Sequence, residues 1–248
     1  MSRVLAGKTA IVTGASRGIG AAICENLAAK GCNLIMNYSA SAEKTEALAK
    51  KLEKHDIKCI PVQADMGSID GPAKVAAVAD RIDIIINNAG VAGDKFIEDS
   101  DPDHFAYIMN VNVRGPLLLM KAAQSKLPHD RSGRIVNISS VSSSLGFHGQ
   151  SVYGASKAAL EAMTRTWARE LAERATVNAV NPGPVATDMY AGTSIEFQKG
   201  MSHWTKNSPL AAIRDSDRQE FIDNAELAGG RPVSCFSLAD TLLTSSGN

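Results

Sequence analysis

The chain of 248 residues is 44% hydrophobic and 21% charged, enough apolar surface for one substantial core, and its 26 Lys and Arg balance 26 Asp and Glu. Zero formal net charge excludes a protein that rides on nucleic acid or an anionic membrane by bulk electrostatics. The longest apolar runs, DIIIN and PLLLM, fall far short of the roughly 20 residues that cross a bilayer, and the opening MSRVLAGKTAIVTG has no signal-peptide pattern, so a soluble, cytoplasmic protein is expected. Cys24, Cys32, Cys59 and Cys235 form no CxxC pair and read as reduced packing residues; no metal-ligand spacing surrounds the five histidines, so no metal is expected.

The first predicted strand, residues 9–13 (TAIVT), leads directly into TGASRGIGAAICENLAAKG, where Gly14, Gly18 and Gly20 precede an alanine-rich helix. Glycines there let a tight turn approach a pyrophosphate, and the helix N-terminus behind them offers unpaired N–H groups and partial positive charge. Ser16, Arg17 and Ile19 complete the turn as candidate dinucleotide contacts. The second strand, 33–37 (NLIMN), ends in Asn37, Tyr38 and Ser39 instead of the carboxylate that would bind a ribose 2′-hydroxyl. Nothing there repels a 2′-phosphate, and Arg17 can pair with one, so NADPH/NADP+ is the expected cofactor, with NADH the alternative.

The basic run KKLEKHDIK reads as a solvated helix end. A third strand, 59–63 (CIPVQ), is followed by Asp65, and a fourth, 82–86 (IDIII), by NNAG at Asn87 to Gly90. A long helix is drawn over about 102–127, carrying NVNVRG around Asn112. The fifth strand, 134–139 (RIVNIS), opens into the serine cluster Ser139 to Ser144 and a loop with His148, a candidate for the cleft wall or for plain exposure. Behind that loop a helix carries YGASK at Tyr153 to Lys157 and an apolar stripe of Ala159, Met163, Trp167 and Leu171 that reads as core. After the sixth strand, 176–180 (TVNAV), comes NPGPVATDM. Strands alternating with alanine-rich helices, several of the strands apolar throughout, predict a single-domain α/β fold, a doubly wound parallel sheet of Rossmann type with ligands at the carboxyl ends of its strands.

TGxxxGIG, NNAG, NVNVRG, a serine thirteen residues before a tyrosine, and YGASK, in that order, make the chain resemble the short-chain dehydrogenase/reductase family over about residues 8–188. The resemblance is to 3-oxoacyl-acyl-carrier-protein reductases and related ketoreductases. It implies a catalytic set of Asn112, Ser140, Tyr153 and Lys157, with Ser139 the fallback for Ser140 and Asn112 supporting a water-linked proton relay toward the lysine. It also implies Asp65 at the adenine, Asn88, Ala89 and Gly90 at the adenosine ribose, and Pro182, Gly183 and Thr187 at the nicotinamide. The tyrosine helix and the 102–127 helix imply a homodimer or homotetramer. The resemblance fails after SPL: no final strand can be drawn in 211–248, and 189–210, where substrate choice resides, carries no readable motif.

Tyr153 and Lys157 stand four residues apart, on one face of a helix. A tyrosine that donates a proton at neutral pH needs its pKa brought from about 10 toward 7, worth about 4 kcal/mol, and a lysine charge about 4 Å away supplies that order of energy at an effective dielectric near 20. The expectation is an NADPH-dependent reductase that turns a ketone or 3-oxoacyl-type carbonyl into an alcohol. The alternatives are an NAD-dependent alcohol or steroid dehydrogenase and a non-catalytic dinucleotide sensor or partner subunit.

Overall fold

Strands that are apolar on both faces need cover on both sides, and a parallel sheet between helices supplies it. The computed structural model describes residues 3–183 together with 185, 192, 195 and 199. Among them β1 (Thr9–Val12), β2 (Asn33–Tyr38), β3 (Cys59–Gln63), β4 (Ile84–Asn87), β5 (Gly133–Ile138) and β6 (Ala175–Val180) form one parallel sheet in the order β3-β2-β1-β4-β5-β6. The six strands lie within two residues of those expected from the sequence. The order reverses between β1 and β4, where a crevice opens at the carboxyl ends.

The two-residue period of the strands divides the core. Ala10, Val12, Leu34, Met36, Ile84 and Ile86 pack on one face with Ile23 and Leu27 of α1 (Gly18–Ala29) and Leu52 of α2 (Ala42–Leu52). Ile11, Ile35, Ile85 and Ile135 turn to the other face, against α3 (Gly71–Ala76), α5 (Gly115–Ala123) and α7 (Ser151–Glu170). Trp167 and Leu171 join this second cluster and Met163 packs on its edge, as the apolar stripe suggests. Each fully buried isoleucine contributes about 1.5–3 kcal/mol of transfer free energy.

The helix expected over 102–127 is interrupted. It runs as α4 (Pro102–Met109), one wide π turn over Asn110–Arg114, then α5 and a 3-10 turn over Gln124–Lys126. Asp101 caps α4 by accepting the His104 N–H at 2.8 Å. Asn112 bonds sideways in the π turn to Val91 and to Ser156 of α7, and Gly115, just beyond, lies so close to Met66 that a Cβ would stand 2.4 Å from the Met66 carbonyl oxygen. These contacts, invisible to helical periodicity, accompany the bulge. Ser142–Leu145 forms the short helix α6.

Cys24 and Cys32 are buried and Cys59 half-buried, with desolvation pushing all three thiols well above their ordinary value. Thr187 and the segments 189–210 and 211–248, apart from residues 192, 195 and 199, lie outside the described residues.

At the amino end of the sheet Asp83, 1% exposed, closes β1 onto β4. Its Oδ1 accepts from Lys8 Nζ (3.2 Å) and from Arg81 Nε and Nη2 (3.0 and 2.9 Å), and its Oδ2 from the Thr9 N–H (3.0 Å). Asp83→Ala orphans a strand N–H and two cations, and is expected to cost about 2–4 kcal/mol. Urea unfolding of the variant checks this; a loss below about 0.5 kcal/mol would show that the carboxylate does not hold the sheet.

Candidate active site

The crevice between β1 and β4 widens into a cleft of about 690 Å3 bordered by the glycine turn, the β2 end, the segment after β4, the serine loop and α7. Gly14 adopts φ +63°, a left-handed conformation that favours glycine, and a Cβ on Gly20 would lie 2.2 Å from the Gly14 carbonyl oxygen. The turn is braced from three strands. Gly14 N–H donates to Asn37 Oδ1 (3.3 Å), Asn88 Nδ2 donates to the carbonyls of Thr13 and Gly14 (2.8 and 3.1 Å), and Thr13 Oγ1 accepts from the N–H groups of Asn88 and Ala89, both at 2.9 Å. Among the described residues no side chain caps α1, and its first turn holds no acid, so the Gly18–Gly20 end of the helix brings its N-terminal N–H groups to the cleft. This arrangement fits a pyrophosphate.

Ser16, Arg17, Ile19, Tyr38, Ser39, Asp65, Ala89, Gly90, Pro182 and Gly183 all border the cleft. Arg17 and Ser39 are exposed at its rim, whereas Tyr38 is buried. Two of the expected contacts are otherwise engaged. Asn37 is 1% exposed and turns inward, its Nδ2 donating to the Ala64 carbonyl at 2.9 Å, so it holds β3 to the glycine turn instead of offering its side chain outward. Asp65 closes a local turn by accepting the Gly67 N–H on Oδ1 at 2.8 Å.

At the cleft floor Tyr153, Lys157 and Ser140 come together from α7 and the end of β5, all buried. Lys157 Nζ lies 5.7 Å from the Tyr153 ring centroid and donates to the Ile138 carbonyl at 2.8 Å. Ser140 Oγ accepts the Ser142 N–H at 3.1 Å and contacts Ser142 Oγ at 3.2 Å. Ser139, the fallback, spends its hydroxyl on Glu161 Oε1 (2.7 Å), which also takes Asn181 Nδ2 (2.6 Å). Asn112 is 1% exposed; Oδ1 accepts from the Val91 N–H at 2.9 Å, while Nδ2 donates to the Val91 carbonyl (2.9 Å) and Ser156 Oγ (3.0 Å). Its amide hydrogens go to protein groups, and its Oδ1 and Lys157 Nζ both border Gly90. His148 is exposed and lines a smaller neighbouring cavity of about 480 Å3.

The electrostatics depart from expectation. Burial pushes the Tyr153 phenol up, the Ser140 hydroxyl pulls it down, and the Asp94 charge adds to the rise, so the net direction is upward. The ammonium is itself desolvated: burial takes Lys157 from 10.5 to about 8. Sequence reasoning also passed over Gln150, Asp94 and Glu161. Gln150 carried a signal, since it precedes Tyr153 by three residues at the start of one helix; Asp94 sits in an irregular segment and carried none.

The family model of the short chain dehydrogenases matches residues 8–196. The chain belongs to the short-chain dehydrogenase/reductase family. It is 50% identical to an L-xylulose reductase of Aspergillus niger, over 94% of this chain and 89% of the relative. It is 46% identical to an L-xylo-3-hexulose reductase of Hypocrea jecorina, over 98% and 91%. Among solved structures, a short-chain dehydrogenase of Burkholderia cenocepacia in complex with NADP superposes with a TM-score of 0.75 at 36% identity, covering 80% of this chain and 83% of that one. Among the described residues no His, Cys, Asp and Glu cluster could hold a metal, and no helix is long and apolar enough to cross a membrane.

Burial of Lys157 has a cost that pH should expose. Below pH 8 folded and unfolded chains both carry the charge and the cost is fully present; between 8 and 10.5 only the unfolded chain holds the proton, so stability from this residue rises with pH. Lys157→Met is therefore expected to stabilise the cofactor-free protein at pH 7 by up to about 3 kcal/mol, less the lost bond to the Ile138 carbonyl, with the gain fading toward pH 10.5. Urea unfolding of both proteins at pH 7 and pH 10 tests this; equal stability at pH 7 would mean that the ammonium is adequately solvated.

Proposed function

We propose that the protein is an NADPH-dependent reductase that converts a ketone to a secondary alcohol, with Tyr153 as general acid. The observation that carries this reading is the meeting, in one cleft, of a phenol and a serine hydroxyl at the floor with an uncapped helix N-terminus at the mouth. The glycine turn and the N-terminus of α1 would hold the pyrophosphate, with Arg17 and Ser39 toward the 2′-phosphate, Asp65 toward the adenine, Asn88 to Gly90 along the ribose, and Pro182, Gly183 and Thr187 at the nicotinamide. When bound, NADPH supplies a hydride to the carbonyl carbon and leaves as NADP+.

Ser140 donates a hydrogen bond to the substrate oxygen and Tyr153 gives that oxygen its proton. A phenol is ordinarily protonated at neutral pH, the form that a reduction consumes, and burial pushes it further in that direction. Lys157, its Nζ over the Tyr153 ring at 5.7 Å from the centroid, stabilises the phenolate left behind. Asn112 acts as a positioning residue, tying the π turn to the segment after β4 and to α7. Two relatives named for ketose reduction, at 50% and 46% identity, support a polyhydroxy ketone among the ketone and 3-oxoacyl carbonyls expected from the sequence. Exposed Phe105, Tyr107 and Leu117 on α4 and α5 support burial against a second copy in a dimer or tetramer.

Tyr153→Phe should lower ketone turnover by about 10²- to 10⁴-fold while the calorimetric Kd for NADPH changes less than about threefold; unchanged turnover removes tyrosine from the mechanism. In the unaltered protein NADPH should bind more tightly than NADH, and Arg17→Ala should erase about tenfold of that preference. Equal affinity for the two would favour the NAD-dependent alternative.

A further inference from the structure

The turn that follows β3 supplies one wall of the cleft, where Asp65 and Met66 border it beside Val111 of the π turn. Among the described residues β3 is the end strand of the sheet, with β2 as its neighbour. The turn closes on itself: Asp65 Oδ1 accepts the Gly67 N–H at 2.8 Å, and the Asp65 carbonyl accepts the Ser68 hydroxyl at 2.8 Å. Bonds of this local kind shape a turn without fixing where it stands.

Arg114 ties the turn to the rest of the molecule. From the last position of the π turn its Nη2 donates to the Gly67 carbonyl, across 47 positions of the chain. The two segments touch around that bond. A Cβ on Gly67 would lie 2.8 Å from Val111 Cγ2, just as one on Gly115 would press on the Met66 carbonyl. The guanidinium also has an unmatched donor, since its Nε is buried without a hydrogen-bond partner among the described residues. A desolvated cationic donor costs free energy that a methionine of similar length would not incur, so stability alone does not account for an arginine here. What the arginine adds is the bond to Gly67.

The other side of the π turn has its own anchor. Asn112 bonds Val91 and Ser156, which belong to the segment after β4 and to α7. Loss of the Arg114 bond therefore loosens the wall after β3 and leaves the Tyr153 floor in place.

We propose that Arg114 is a positioning residue for the adenine end of the cofactor, holding the Asp65–Gly67 turn against the π turn so that the wall stands ready before the adenine ring arrives. This rests on the NADPH-dependent reading above. A preformed wall raises affinity by removing the ordering that binding would otherwise require. Its signature is a loss in binding of the adenine half of the cofactor with the chemical step retained.

The test is calorimetric titration of the full chain with adenosine 2′,5′-bisphosphate, the adenine half of NADPH, beside steady-state ketone reduction. Arg114→Met should raise the Kd for the bisphosphate and the KM for NADPH about tenfold each, while kcat at saturating NADPH stays within about threefold. Arg114→Lys, which keeps a donor for the Gly67 carbonyl, should recover part of the affinity, and it carries the test by itself if the methionine variant does not fold. Bisphosphate affinity within about twofold of the unaltered protein in both variants overturns the assignment and leaves the reductase reading standing. A fall in kcat as large as the fall in affinity overturns it too, because the bond would then register the whole cleft. Bisphosphate binding that depends on Arg114 in a protein that reduces no ketone upholds the assignment and removes the reductase reading. Binding of neither the bisphosphate nor NADPH by the unaltered protein overturns both.

Discussion

The site depends on the joint between the ends of β1 and β4. Two parallel strands leave a gap at their carboxyl ends, and Thr13 and Asn88 bridge it with four hydrogen bonds that fix the glycine turn against the segment leaving β4. That joint is at once the opening of the crevice and the reason that Gly14 and Gly20 carry no side chain, since a Cβ on either presses on Ala89, Asn88 or the turn itself. A dinucleotide site at this position follows from sheet topology before any particular side chain is considered.

The floor of the cleft is anchored by a second polar line. Asn87 donates to Asn137 Oδ1 at 2.7 Å, Asn137 to Thr164 Oγ1 at 2.8 Å, and Thr164 to the Leu160 carbonyl, so a side-chain chain runs from β4 through β5 into α7. Glu161, one residue along, gathers Ser139 and Asn181 from the ends of β5 and β6. Buried polar networks of this kind fix geometry more than they add stability, and here they set the rotation of the helix that presents Tyr153 and Lys157.

Stability and chemistry oppose each other at Lys157. An ammonium at 4% exposure, bonded to the Ile138 carbonyl and facing a phenol, is held in a costly state by the same desolvation that strengthens its field at the ring. The surrounding isoleucine core compensates for that cost.

The sequence by itself determined the six strands, the glycine turn, the Tyr153–Lys157 face and the family, because these rest on local rules: the periods of strand and helix, the backbone demands of a tight turn, and motif spacing. It foresaw less well the π turn at Asn112, the inward role of Asn37 and the direction of the Tyr153 shift. The tertiary structure decided those, since each depends on surroundings built from far along the chain: Val91 and Ser156 for Asn112, Ala64 for Asn37, and the depth of burial for Tyr153. The Asp94–Gln150 pair belongs with them, joined across 56 positions by a loop whose path no periodicity encodes. Periodicity places a side chain on a face; only packing determines which polar group it meets there and how much water is left around it.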